Sequence, residues 1–513
     1  MKVLVMGLGL HGGGLESARY LARRGAEVTV TDLRDEKTLA PSIEKLEAPG
    51  ERPAFPLRYV LGRHETADFR RTGMVIKNPG VNPGSPYLAA AREAGALIET
   101  DISIFLAESP ARLLAVTGSK GKSSAASALH WALAAAREER RAAPEKGGPG
   151  PEGGSPEAPG PATAGTALPG RAWLGGNITV SPLVFLDELT AADDVVLELS
   201  SWQLGDLRGR KGGAAAVGGA LLKPRCAVLT AIMPDHLDRY GTMEAYVADK
   251  RVIYQGQGQE DLTVAGDDKW GESFRRESPG RSLVYGESPL PEGVPGGWLA
   301  GPGGPGLARL RDSPPPGIRP VTRTGETVEV VPSRLLTPGR HQKKNLLAAA
   351  LALLDLGLPP PFIRESLGRF PGIPHRLEFF HEAGGVRFYN DSAATIPEAA
   401  AAALASFDGP VILVAGGADK RLDFGPLARA AAGARAIVLL AGTASEKLKS
   451  LLAGRGIPCR GPFDDLDRAV QAALEAAVPG DTVVLSPGCA SFGMFLNEFD
   501  RGGRWKEAVR RLA

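Results

Sequence analysis

Short apolar runs alternate with stretches whose apolar residues recur every three to four positions, along almost the whole chain. The runs at 3–6 and 27–31 predict strands, with a helix over 15–24 between them. The same rhythm predicts strands at 112–116, 194–199 and 225–232, each leading into polar residues, and a helix over 123–136. Runs at 262–265, 282–285 and 327–331 predict a small β extension, closed by a helix over 342–356. Later strands fall at 385–389, 411–415, 436–440 and 482–485, again with helices between them. Strand–helix–strand alternation of this kind argues for parallel α/β architecture.

Length and composition refine this picture. At 513 residues, 43% of them apolar, the chain is long enough for about three domains with real cores. Breaks in the pattern place these at 1–108, 109–372 and 373–513. The tract 137–170 is rich in Pro, Gly, Ala and Glu and has no periodicity, so it reads as a disordered insertion. Residues 205–223 and 286–320 read as further surface insertions. With 60 basic and 58 acidic residues, the balance offers no argument for a nucleic-acid or membrane surface. Cys226, Cys459 and Cys489 are far apart, without metal-ligand spacing, which points to a reducing compartment. No apolar stretch approaches the ~20 residues that span a bilayer. The first residues enter a strand at once, leaving no room for a signal peptide. A monomeric cytoplasmic protein acting on small molecules is the expectation.

The chemistry gathers at predicted strand ends. After the strand at 112–116 comes Gly118-Ser119-Lys120-Gly121-Lys122-Ser123-Ser124, opening the next helix. Such a turn aims backbone N–H groups and a helix N-terminus at an anion. Lys122 adds a charge for outer phosphates and the Ser123 hydroxyl a ligand for Mg²⁺. The general P-loop has a glycine where Val116 stands. Glu198 ends another strand and is placed to ligate Mg²⁺ carried by ATP. His236 follows a third strand, Lys250 lies fourteen residues on in a helical stretch, and Asn177 follows Gly175-Gly176. The glycines of 7–12, with Asp32 ending the second strand, form a plausible nucleotide site. NAD or NADP is the rival ligand there, and an oxidoreductase the rival function. In the last third, Asp391, Lys420, Ser486 and Ser491 follow strands, where open α/β sheets bind ligands. Lys420 suits a carboxylate-bearing substrate.

Together these residues resemble the Mur ligases of peptidoglycan synthesis, nearest the branch that adds D-glutamate. The resemblance rests on Thr117-Gly-Ser-Lys-Gly-Lys-Ser123, Glu198-Leu-Ser-Ser-Trp-Gln-Leu204, Asp235-His-Leu-Asp-Arg-Tyr240, Gly339-Arg-His-Gln-Lys-Lys-Asn345, Pro374-His-Arg-Leu-Glu378, Asn390-Asp-Ser392 and Ser486-Pro-Gly-Cys-Ala-Ser491. It covers the chain apart from the three insertions, and the family lacks the first P-loop glycine as well. It implies three domains: a Rossmann-like one for a uridine nucleotide, a P-loop ATPase-like one with a small β extension, and a Rossmann-like one for an amino acid. It implies an ATP-dependent amide ligase that adds D-glutamate to UDP-N-acetylmuramoyl-L-alanine through an acyl phosphate. A sister ligase with another amino acid, or a folylpolyglutamate synthase-like enzyme, is the nearest alternative.

Position by position, the resemblance implies that residues 118–124 hold the ATP phosphates, with Lys122 on the outer two. Ser123 and Glu198 would hold one Mg²⁺. His236 and a carbamoylated Lys250 would serve a second near the acyl phosphate. Asn345, Arg376 and Asp391 would take the rest of ATP. Leu10, His11, Asp32 and Arg34 would face the uridine, with Gly80, Asn177 and Ser200 along the rest of the nucleotide sugar. Thr395, Lys420 and Ser491 would bind the amino acid. Ala393 and Ile396 stand where the family carries lysine and asparagine, and Gln342 replaces an asparagine. The aromatic facing the amino acid is left open between positions 498 and 499.

Overall fold

The structure, a computed structural model, describes residues 1–10, 12–48, 57–142, 168–178, 180–209, 221–301, 303–309 and 325–512. The chain divides into two compact units. One comprises Met1–Gly301, Pro305–Val331 and Lys344–Ser366; the other Pro302–Gly304, Pro332–Lys343 and Leu367–Ala513.

The first unit holds two sheets. The smaller contains β1 (Lys2–Met6), β2 (Glu27–Asp32), β3 (Arg58–Leu61), β4 (Met74–Lys77) and β5 (Leu97–Glu99), all parallel, in the order β3-β2-β1-β4-β5. Successive side chains of a strand point to opposite faces. Val3 and Val5 therefore pack with Leu15 and Ala18 of the helix Gly13–Arg23, and Leu4 and Met6 with Phe69 and Leu88 on the other side. Burial on both faces is why these strands read as continuous apolar runs. The order reverses at β1, so its glycine loop lies at the switch point where such sheets bind ligands.

The larger sheet contains β6 (Arg112–Thr117), β7 (Ala172–Gly176), β8 (Asp194–Glu198), β9 (Cys226–Leu229), β10 (Leu262–Gly266), β11 (Arg281–Gly286), β12 (Gly296–Leu299), β13 (Gly306–Arg309) and β14 (Thr327–Val331). Their order is β14-β13-β12-β11-β10-β9-β6-β8-β7. The run from β7 to β12 is parallel and the last two pairings are antiparallel. β6 sits at the second switch point, between β9 and β8.

All three expected insertions need correction. Residues 286–320 are not a surface insertion throughout, because β12 and β13 lie inside them with Trp298, Leu299 and Ala308 buried. Their glycines hid them. A Cβ at Gly297 would come 2.8 Å from Leu347 of the helix Arg340–Asp355, so glycine there admits the helix to the sheet. The helix Lys122–Ala142 runs into the tract expected to begin at 137, and buried Arg137 pairs with Asp194 of β8. At 205–223, the helix Ser201–Asp206 enters the segment, and Leu207 and Leu222 are buried. Within these three segments, residues 143–167, 210–220, 302 and 310–320 lie outside the described residues.

The second unit is built on β15 (Glu378–Ala383), β16 (Val386–Asn390), β17 (Val411–Ala415), β18 (Ala436–Leu440), β19 (Arg460–Phe463) and β20 (Thr482–Leu485), in the order β15-β16-β20-β17-β18-β19. Only β15 is antiparallel. Phe388, Val414, Val483 and Trp505 fill one face; Tyr389, Leu413, Leu427 and Val484 fill the other. Among the described residues no helix is long and apolar enough to cross a membrane.

Candidate active site

The first unit's candidate site starts at the turn after β6. Gly118 and Gly121 have φ of +148° and +91°. A Cβ at Gly118 would meet Thr230 Oγ1 at 2.0 Å, and one at Gly121 would meet Asn345 Oδ1 at 2.2 Å. Both glycines are thus demanded by backbone angle and by crowding. The crowding also brings Asn345, over two hundred residues away, against the turn. Ser119 braces it: its Oγ donates to Met233 O at 2.9 Å, accepts from Met233 N at 2.9 Å and lies 2.9 Å from the Tyr246 hydroxyl. Lys122 Nζ donates to Ser119 O at 3.1 Å. Ser123 and Ser124 follow in the first turn of the helix, while the Lys120 side chain is largely exposed.

Glu198 ends β8 with 1% of its surface exposed. Its Oε1 accepts from Asn177 Nδ2 at 3.0 Å; its Oε2 is buried with no hydrogen-bond partner. A buried carboxylate oxygen left bare is costly unless something else satisfies it. Lys250, equally buried, donates from Nζ to Gly118 O at 2.7 Å and lies 4.6 Å above the Tyr246 ring. Burial, with the positive charge of Lys122, lowers its pKa to about 7. His236 holds a left-handed conformation, φ +53°, with its ring 5.1 Å from that of Trp202. Left-handed non-glycine residues carry strain and gather at functional loops.

The glycine loop after β1 faces the same space. Asp32 accepts from Gly9 N at 3.2 Å and Arg34 N at 2.9 Å, fixing both segments. Gly80 N donates to Asn78 Oδ1 at 3.2 Å. Leu10, Arg34, Gly80, Lys122, Asn177, Ser200, His236 and Lys250 line one cavity of about 430 Å³. His11 lies outside the described residues. Sequence reasoning missed Asp101, Trp202 and Tyr246, which line the same cavity. A signal existed for Tyr246: it precedes Lys250 by four residues on the helix Met243–Lys250, hence on the same face. Among the described residues no three His, Cys, Asp or Glu side chains form a metal cluster.

The second unit has its own candidate surface. Asp391, just past β16, accepts from Leu377 N at 3.1 Å and from Ser486 Oγ at 2.6 Å, and burial raises its pKa to about 6. Arg376 is flanked by two left-handed residues, His375 at φ +64° and Leu377 at φ +45°. Ser491 is buried, Thr395 half-buried and Lys420 exposed. Their loops are tied together by backbone: Gly488 N donates to Ala394 O, and Ala418 and Ala490 exchange hydrogen bonds. The helix Glu498–Leu512 supplies a residue that sequence reasoning passed over. Arg501, fully buried, donates to Ser392 Oγ (2.9 Å), Ser392 O (2.8 Å) and Cys489 O (3.1 Å). Phe499 is exposed, with its ring 5.4 Å from that of His375.

Comparison with known proteins bears on this arrangement. Residues 1–99 match the Mur ligase MurD-like N-terminal domain, 116–289 the Mur ligase middle domain, and 375–489 the Mur ligase glutamate ligase domain. The chain belongs to the Mur ligase family. This Mur ligase is 42% identical to the UDP-N-acetylmuramoylalanine–D-glutamate ligase of a Roseiflexus species, covering 100% of this chain and 98% of the relative. It is 40% identical to the enzyme of the same name from Treponema pallidum, over 99% and 97%. Its fold is similar to the crystal structure of the UDP-N-acetylmuramate–alanine ligase of Thermotoga maritima, with a TM-score of 0.54, 17% identity and full coverage of both chains.

Proposed function

We propose that this Mur ligase joins D-glutamate to UDP-N-acetylmuramoyl-L-alanine, driven by ATP, in the cytoplasm. One observation carries the reading: the glycine loop of the first sheet and the phosphate turn of the second open into one cavity. A nucleotide sugar and the ATP phosphates then meet in one space. The rival dinucleotide reading leaves Lys122 and the buried Glu198 without a task. The full-length relatives support the choice of D-glutamate. Residues 1–108 would hold the nucleotide sugar, 109–372 the ATP and 373–513 the amino acid.

In the proposed reaction the alanyl carboxylate attacks the γ-phosphorus of ATP and ADP leaves. The D-glutamate amine then attacks the acyl carbon, the C–N bond forms, inorganic phosphate departs and the amine loses its proton. Lys122 and the N–H groups of residues 118–124 neutralise the transferring phosphoryl oxygens. The bare Glu198 Oε2 fits a Mg²⁺ ligand, and Ser123 would be its companion; His236 and Lys250 would serve a second Mg²⁺ only with Lys250 carbamoylated. Bound Mg²⁺ supplies charge neutralisation on phosphoryl oxygens. Lys250, with its pKa near 7, presents a largely neutral amine above neutrality, as carbamoylation by CO₂ requires. Asn345, Arg376 and Asp391 bind the remainder of ATP, while Thr395, Lys420 and Ser491 bind the amino acid.

The deciding assay is phosphate release from ATP with UDP-N-acetylmuramoyl-L-alanine, with D-glutamate present or omitted and other amino acids in parallel. Release that needs both substrates is the expected result. Release with a different amino acid moves the protein to a sister branch, and none with any acceptor rejects the reading. A pH effect accompanies it. The Asp391 pKa is raised to about 6, so its carboxylate is lost as pH falls through that value. The KM for ATP should therefore rise below about pH 6, and Asp391→Asn should remove that rise.

A further inference from the structure

Lys77 is the last residue of β4, a strand buried along its whole length, and only 3% of its side chain is exposed. A lysine so placed is costly unless its ammonium is paired and its donors are used. Its ammonium forms an ion pair with Asp206 Oδ2 at 2.8 Å and donates hydrogen bonds to Val81 O at 3.2 Å and Asn78 O at 3.5 Å. The first contact crosses from the smaller sheet to the last residue of the helix Ser201–Asp206, which follows β8 of the larger sheet. The other two reach back into the loop that follows β4.

Both ends of this contact border the cavity. Asn78, Pro79 and Gly80, inside the loop that Lys77 grips, line one side, and Ser201, Trp202 and Gln203 of the short helix line it from the larger sheet. On another side that helix meets the helix Met243–Lys250: a Cβ at Gly205 would come 2.5 Å from the Asp249 carboxylate. Burial pushes the Lys77 pKa down and the Asp206 pKa up, while each partner's charge works against the other's shift. The proposed reaction assigns nothing to either side chain.

We propose that Lys77 and Asp206 act as a positioning pair that fixes the loop at 78–80 relative to the helix Ser201–Asp206, and so sets how tightly the cavity holds the nucleotide-sugar substrate. Neither side chain touches the substrate. This rests on the functional reading above, because it takes the cavity's occupant to be a uridine nucleotide.

The test uses the full chain with Lys77→Met, Asp206→Asn, the double variant and Lys77→Arg. Three quantities are read: the KM for each of the three substrates, the Kd of uridine diphosphate by calorimetry, and the melting temperature. Each single variant should raise the KM for UDP-N-acetylmuramoyl-L-alanine about tenfold, with the KM for ATP and for D-glutamate within about twofold, because only the first substrate meets both walls. The double variant should be no worse than about threefold beyond the weaker single, since two members of one contact are not additive. Lys77→Arg, which keeps the charge and the reach, should recover most of the loss, and it keeps the test alive if Lys77→Met fails to fold. An equal rise in all three KM values that tracks the melting temperature overturns the proposal, as does additivity of the two singles. If the unmodified protein binds uridine diphosphate and the variants bind it equally well, the pair has no such role and the functional reading stands. If the unmodified protein binds no uridine nucleotide, the functional reading and the pair's role fall together.

Discussion

Lys250→Ala should lower kcat by about 10²–10³-fold, the usual cost of losing one group aimed at developing charge. Its ammonium is buried against Gly118 O and the Tyr246 ring, beside the phosphate turn. Removing it leaves a small void at that spot while Ser119, Met233 and Tyr246 continue to brace the turn. ADP affinity should therefore change much less than kcat. If the working form is a carbamate, acetate or another short carboxylate should enter the void and restore part of the rate, and chloride at equal ionic strength should not. Full activity in the alanine variant would remove Lys250 from the reaction. A lost rate that no carboxylate restores would leave the lysine essential but unmodified.

Glu198→Gln tests the other half of the site. The substitution keeps the shape and the hydrogen bond from Asn177 Nδ2 to Oε1, and it replaces the bare Oε2 by an amide NH₂ that can only donate. The melting temperature should stay near that of the unmodified protein. The Mg²⁺ concentration for half-maximal phosphate release should rise at least about tenfold, and kcat at saturating metal should fall about 10²-fold. A Mg²⁺ titration that superimposes on the unmodified protein's would show that Glu198 holds no metal.

Much of the first unit was legible because its chemistry sits where strands end. The glycines at 118 and 121, Lys122 and Glu198 each follow an apolar run that could only be a buried strand, and the parallel topology then places them at one edge of a sheet. The hidden parts share a physical cause. β12 and β13 are four residues long and carry glycines at the points where the helix Arg340–Asp355 must come close, so their composition imitates a loop. The helix from Lys122 continues past 137 because Arg137 finds Asp194, 57 positions away, and no local pattern announces such a partner. Asp206 likewise falls in a segment that reads as a surface insertion, and no local pattern marks Lys77 as its partner. In the second unit, Asp391 and Ser491 were visible at strand ends. Arg501 was not, since a lone arginine in a charged helix looks solvated.

Arg501 also bears on how the protein is made. It fastens Ser392, 109 residues earlier in the chain, and the loop at Cys489. At roughly 5–20 residues per second, translation separates those two positions by about 5–20 s. For that interval the Asn390–Ser392 loop has been made without the cation that anchors it. The second unit is thus finished by the helix Glu498–Leu512, and any fragment stopping short of residue 501 leaves the acceptors at Ser392 and Cys489 without the donor that meets them in the folded unit.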